Sequence, residues 1–167
     1  MTTRASRLFS IGGSLMIRKA TINDIPAIAK LYREQFREMA RLIPDFIKEG
    51  DQSTEFLEKT VSDDNSDILV YETEGEIVGF ILLQAKTRPD FDFMLPGKYC
   101  YIIDIIVTEI HRGKGFGTAL MNAAKAWANE HNCSFVNLDV LVNNHSAIKL
   151  YEKLGFIPKA QEMYCKL

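Results

Sequence analysis

The run Tyr99 to Val107 is almost wholly β-branched or aromatic, apart from Cys100 and Asp104, and a loop with glycines at 113, 115 and 117 follows it. Side chains of that kind suit the pleated, buried surface of a sheet. Beyond the loop, Phe116, Leu120, Ala123, Ala124, Trp127 and Ala128 recur at helical spacing, which predicts a long helix with one apolar face. A buried strand, a sharp glycine turn and an amphipathic helix therefore stand in succession. The rest of the chain has to build a sheet around that strand and lay helices on its faces.

The flanking segments supply those parts. Met16 to Ala20 predicts an opening strand. Thr21 to Asp24 offers capping side chains, and Pro26 is tolerated in a first helical turn. Ile25, Ile28, Ala29, Tyr32, Phe36 and Met39 then trace a helix that Pro44 and Gly50 bring to an end. Ser53 is placed to cap a short second helix carrying Phe56, Leu57, Thr60 and Val61 on one side. After the turn cluster Asp63 to Ser66, two strands are predicted at Ile68 to Tyr71 and Ile77 to Gln84, joined by a hairpin at Glu74-Gly75-Glu76. Residues 87–98, with Pro89, Pro96 and Gly97, read as a loop. Phe135 to Val142 predicts a strand, Ser146 to Leu154 a helix stopped by Gly155, and Ile157 with Met163 to Cys165 a closing hairpin.

This order predicts a single α+β domain, with one central mixed, mostly antiparallel sheet flanked by about four helices. A length of 167 residues suits one core. The domain is expected over residues 16–167. Residues 1–15 carry Arg4 and Arg7 with no acid and read as an N-terminal extension, too thinly apolar for a secretory segment. Twenty basic side chains against twenty-two acidic ones leave a net charge of −2, which argues against a nucleic-acid partner and against a polybasic membrane-surface protein. No apolar run approaches the roughly 20 residues of a membrane span. Cys100, Cys133 and Cys165 are odd in number and lack metal-ligand spacing, as expected of reduced thiols in a cytoplasmic protein.

Chemistry is expected at the segment Arg112-Gly113-Lys114-Gly115-Phe116-Gly117-Thr118. Glycines let the backbone approach a ligand closely. Unpaired N–H groups at a helix start, with the helix dipole, favour an anion such as a phosphate. A tight turn with no ligand is the other reading of this loop. Gly-x-x-x-x-Gly-Lys-Ser/Thr is absent here, and the glycines give Gly-x-Gly-x-Gly rather than the dinucleotide fingerprint.

Arg112, Gly115 and Gly117 fill the fixed positions of Arg/Gln-x-x-Gly-x-Gly/Ala, the signature of the GNAT superfamily of acyl-CoA-dependent N-acetyltransferases, which this chain resembles. Asp104-Ile105-Ile106-Val107 resembles the strand before that signature. The segment Asn144 to Phe156 is similar to the second hallmark, Asn-x-x-Ala-x-x-Leu-Tyr-x-x-Leu-Gly-Phe. The resemblance spans Met16 to Leu167. It implies a sheet splayed at the cofactor-binding strand and acetyl-CoA as co-substrate, with no metal and no covalent enzyme intermediate. The diphosphate would rest on the N–H groups of Arg112, Gly113, Lys114, Gly115, Phe116, Gly117 and Thr118. The pantetheine arm would pair with the backbone of Ile105, Ile106 and Val107, and Asn144 would contact the cofactor across the cleft. Val107 N–H would face the thioester oxygen, and Tyr151 occupies the general-acid position.

Where many members carry Glu-Asp, this chain has Ile103-Asp104. Side chains alternate along a strand, so Asp104 is expected on the face opposite Ile103. It is either a base or water-orienting group, or a buried acid satisfied by backbone or hydroxyl donors; a water chain with no dedicated base is a third course. Glu109 and His111 read as surface residues. The acceptor is expected to be an amine of a small molecule or protein. Asp45, Glu49, Asp51, Glu55, Asp63, Asp64, Asp67, Glu72, Glu74, Glu76, Asp90 and Asp92 raise two alternatives, a cationic acceptor or a plain solvated acidic surface. Dimers are frequent in the family. A non-catalytic acyl-CoA-binding regulator is the rival function.

Overall fold

A computed structural model of the chain describes Phe9, Ser10 and residues 15–167. Strands β1 (Phe9–Ser10), β2 (Leu15–Lys19), β3 (Ser66–Thr73), β4 (Glu76–Thr87), β5 (Lys98–Val107) and β6 (Val136–Leu138) form one sheet in that spatial order. Every neighbouring pair is antiparallel except β5 and β6, which run parallel. Helices α1 (Ile25–Leu42) and α2 (Thr54–Ser62) cover one face, and α3 (Phe116–Glu130) and α4 (His145–Lys153) the other. The α+β architecture with a mixed, mostly antiparallel sheet and four helices is the one the sequence predicted.

Burial on both faces explains why the central strands are apolar throughout rather than alternating. In β3 and β4, Leu69, Tyr71, Ile81 and Leu83 pack under α3, while Ile68, Val70, Phe80 and Leu82 pack under α1 and α2. Local signals set the element ends. Glu74 and Gly75 both have positive φ, as a two-residue hairpin turn between right-twisted strands requires. Ser53 Oγ accepts from Phe56 N at 3.2 Å and caps α2. Helix α1 stops at Leu42, ahead of Pro44, whose ring disfavours helical backbone in the residue before it. The α1 entry is pinned by Asp24, whose carboxylate accepts two bonds from Arg18 at 2.8 and 2.9 Å and one from Thr21 N at 2.7 Å. The Arg18 guanidinium holds that carboxyl down at about 2.

Two expectations fail at the C-terminal side. Residues 135–142 were expected as one strand, but β6 covers only Val136–Leu138. Beyond it Asp139 accepts from Tyr101 Oη at 2.5 Å, and Asn144 N closes a turn on Leu141 O at 2.8 Å. The closing hairpin does not form either: residues 156–167 hold neither strand nor helix. Instead Tyr164 packs edge-on to Phe46 at 4.7 Å, and Lys166 pairs with Asp45 at 2.9 Å. Within the segment 1–15, Phe9 pairs with Ile17 and Ser10 with Met16; residues 1–8 and 11–14 lie outside the described residues. Among the described residues, no helix is long and apolar enough to cross a membrane.

Candidate active site

The parallel contact of β5 with β6 involves only Cys100, Tyr101 and Ile102. From Asp104 onward β5 keeps β4 on one side and, among the described residues, has no strand on the other. The phase of its hydrogen bonds decides which groups face that gap. Val107 lies opposite Gly79, and Thr108 N donates to Val78 O at 2.9 Å. Antiparallel bonds occur at alternate pairs, so Val107 and Ile105 turn their N–H groups away from β4 and into the gap. The available strand edge expected from the sequence is therefore present. Gly79, which the sequence reading passes over, makes this register possible: a Cβ there would sit 2.7 Å from Ile106 O.

A bulge re-aims the acid. Leu82 pairs with Asp104 and Leu83 with Ile102, leaving Ile103 as the extra residue. The alternation breaks there, so Ile103 and Asp104 both face α1 instead of opposite faces. Asp104 accepts from Tyr32 Oη at 2.7 Å and from Gln35 Nε2 at 3.0 Å. Burial raises its carboxyl above the usual range, and the two donors only partly offset this. Burial first, then the Asp104 charge, pushes the Tyr32 phenol well above its ordinary value.

The sequence reading places Tyr32 on an apolar helix face and gives neither it nor Gln35 a part in the site. The signal for both is the spacing of Tyr32, Gln35 and Glu38, which sets polar groups on one side of α1. Tyr32→Phe should destabilise the fold by about 1–3 kcal/mol, because it removes one of the two donors to a buried carboxylate and leaves Oδ2 without its partner. The loss of the donor raises the Asp104 pKa further, so the deficit is full where the carboxyl is ionised and shrinks as falling pH protonates it. Urea denaturation over a descending pH series from about pH 8 checks this; a deficit that stays constant as the pH falls would disprove it.

The glycine loop is open around Gly113 and Gly115. Gly113 and Gly115 have φ of +75° and +86°, and a Cβ on either would meet nothing within 4 Å. Gly115 is the N-cap of α3 and offers no side-chain cap, so the first N–H groups of the helix lack a side-chain partner. Lys114 is exposed, and Thr118 is half-buried in the first turn of α3. The side chain of Phe116 stacks on Tyr71 at 4.3 Å. Gly117 serves helix packing, since a Cβ would lie 3.3 Å from Leu150 Cδ2.

Two expected site residues have roles in the fold. Arg112 does not stand free as a positive charge: its guanidinium donates to both carboxylate oxygens of Glu38 at 3.1 and 2.6 Å and to Val107 O at 3.0 Å. Asn144 Oδ1 caps α4, accepting from Ala147 N at 3.2 Å and Ser146 Oγ at 3.1 Å, which leaves Nδ2 as its remaining polar group.

Tyr151 is buried on α4, with its ring 5.9 Å from Phe156. Among the described residues its hydroxyl has no hydrogen-bond partner, yet it is not sealed from solvent. Burial, then the nearby Asp104 charge, pushes its phenol up to about 12. Burial likewise pushes the Cys100 thiol up to about 12 and raises Cys133, so neither supplies a thiolate near neutral pH.

Six of the twelve acids have named partners. Asp67 binds Lys19 and Trp127 at 2.5 and 2.6 Å, and Glu72 binds Arg18. Arg33 pairs with Asp51, Arg37 with Glu49 and Lys166 with Asp45. Asp63 accepts from Asn65 N and Ser66 Oγ. About half of the acids named in the sequence thus pair within the fold, which leaves both a cationic acceptor and a solvated acidic surface as readings of the rest.

Three comparisons bear on this geometry. Residues 25–156 match the model of the Acetyltransferase (GNAT) family. The chain is 32% identical over 140 residues to the uncharacterized N-acetyltransferase YhfO of Bacillus subtilis, covering 84% of this chain and 88% of that one. It is 32% identical over 148 residues to an N-alpha-acetyltransferase of Sulfurisphaera tokodaii, covering 87% and 81%. The crystal structure of a mutant of the BH1408 protein from Bacillus halodurans superposes with a TM-score of 0.87 at 25% identity, over 90% of this chain and 98% of that one.

Proposed function

The chain belongs to the GNAT acetyltransferase family, and from that premise we propose that it moves the acetyl group of acetyl-CoA directly onto a primary amine, within a ternary complex. One observation carries the reading: the free edge of β5 at Ile105 and Val107 is followed, after one 3-10 turn at Glu109–His111, by a loop whose glycines leave the backbone bare at a helix start. Bare N–H groups at residues 113–118 suit a diphosphate. The edge of β5 suits an extended amide-bearing chain, which would lie along it as an added strand.

When bound, the co-substrate supplies the activated acetyl thioester; the residues supply placement and protons. Val107 N–H, pointing into the gap, would donate to the oxygen on which negative charge grows. Tyr151 carries a phenolic proton near neutral pH and would give it to the departing thiolate. Asp104, made more basic by burial, would receive the amine proton directly or through water. Asn144 Nδ2 would reach the ligand from the α4 side.

The acceptor we favour is a polypeptide α-amino group. The N-alpha-acetyltransferase name of the Sulfurisphaera tokodaii relative supports this, and so does proton chemistry. An α-amino group has a pKa of about 7.7–8.0 against about 10.4 for lysine, so a good share is already neutral near pH 7.5. It therefore needs less from a base, which suits a site where Ile103 replaces the usual Glu and Asp104 already accepts two bonds.

Thiol release from acetyl-CoA, assayed across peptides with free α-amines, polyamines and aminoglycosides, tests the proposal. Turnover is expected with the peptides, with loss of signal when the α-amine is blocked. Preference for polyamines would remove the acceptor assignment. Binding of acetyl-CoA without thiol release over any amine would instead favour the regulator.

A further inference from the structure

We propose that Glu38 is a positioning residue for acyl transfer, acting through Arg112 to fix the junction between the free edge of β5 and the glycine loop; this rests on the reading of the site given above. Arg112 opens the glycine segment, and its side chain folds back on the strand it has just left. Its Nε donates to Val107 O at 3.0 Å, while Nη1 and Nη2 donate to the two oxygens of Glu38 at 3.1 and 2.6 Å. A guanidinium held as a fork by one carboxylate has little freedom left, so the direction of Nε is set by Glu38.

The peptide that receives this bond is the pivot of the site. Its Thr108 N–H is tied to Val78 O at 2.9 Å, and its Val107 carbonyl is tied to Arg112. With no described strand beside β5 beyond Ile102, no strand on that edge holds the carbonyl. Fixing this peptide fixes where the strand ends, and so where the loop to Gly113 and Gly115 begins. It also leaves Val107 N–H as the donor that faces the gap.

Glu38 comes from the same side of α1 as Tyr32 and Gln35, each one turn apart, and those two hold Asp104. One helix face thus locates both the acid and the end of the strand. The pair itself is half exposed, with side chains 46% and 44% accessible, so its worth to global stability is small. A stability measurement alone would therefore not separate positioning from an ordinary surface ion pair.

Glu38→Gln and Arg112→Lys separate them, because lysine keeps the charge but loses the fork and the Nε bond. Amide hydrogen exchange is read first, on the free protein. In both variants exchange at the bonded amides of Thr108, His111 and Arg112 should rise by about three- to tenfold, while the amides of β3 and β4 stay as in wild type. In thiol-release kinetics KM for acetyl-CoA should rise by about the same factor and KM for the amine should hold. Unchanged exchange at Thr108, His111 and Arg112, or a melting-temperature shift with unchanged KM, overturns the proposal. If wild type releases no thiol, the exchange result still decides the role of Glu38, while the acetyl-transfer reading fails on its own.

Discussion

Tyr151→Phe is expected to lower kcat by about 100-fold or more while leaving KM for acetyl-CoA within about twofold of wild type. The substitution removes one oxygen and keeps the ring, so the buried packing of Tyr151 against Phe156 is preserved. The hydroxyl has no protein partner among the described residues, and its removal therefore strands no donor or acceptor in the fold. A purely structural tyrosine would thus be replaced almost silently, and near-normal kcat in the variant would take Tyr151 out of the mechanism.

The pH profile adds an independent check. Since the phenol titrates only at about 12, the acid form persists through neutral and mildly alkaline solution. The wild-type rate should rise as the amine loses its proton and should then stay level up to about pH 10, with no fall from phenol ionisation.

The second large effect is expected from Gly115→Val. At φ of +86° this residue occupies the left-handed region, where a residue with a Cβ costs about 1–2 kcal/mol and a β-branched one more. No atom lies within 4 Å of the added Cβ, so the substitution acts through the backbone and not through a clash. Relaxation of the loop would turn the N–H groups of Phe116 to Thr118 out of their common direction. The dissociation constant for coenzyme A, measured by titration calorimetry, should rise about tenfold or more. Gly117→Ala should do less, since its Cβ meets only the movable Leu150 side chain at 3.3 Å. An unchanged constant for Gly115→Val would mean that the loop is a turn and not a cradle.

What could be read from the sequence was local. The helical spacing of α1 and α3, the Ser53 cap and the Glu74-Gly75 turn depend on neighbours a few residues away, and each has its own letters. The glycine turn before α3 and the helix that carries Tyr151 were legible for the same reason, as segments of fixed spacing. The bulge at Ile103 was not, because it arises from the register of β5 against β4 and no residue in β5 alone announces it. Strict alternation therefore set Asp104 on the face opposite Ile103, where it does not lie. The Glu38–Arg112 pair joins residues 74 apart, and Gly79 matters only because Val107 lies opposite it. The C-terminal hairpin failed where apolar letters suggested pairing, since residues 156–167 form no strand.

The central claim is that an acylated thiol carrier binds along the free edge of β5 with its diphosphate on the start of α3. Backbone amide resonances followed during a titration with coenzyme A test it most directly. The account requires the largest shifts and slowed exchange at Ile105, Val107 and residues 113–118. Saturable binding that leaves those amides unchanged while perturbing others, or no binding at all, would contradict it.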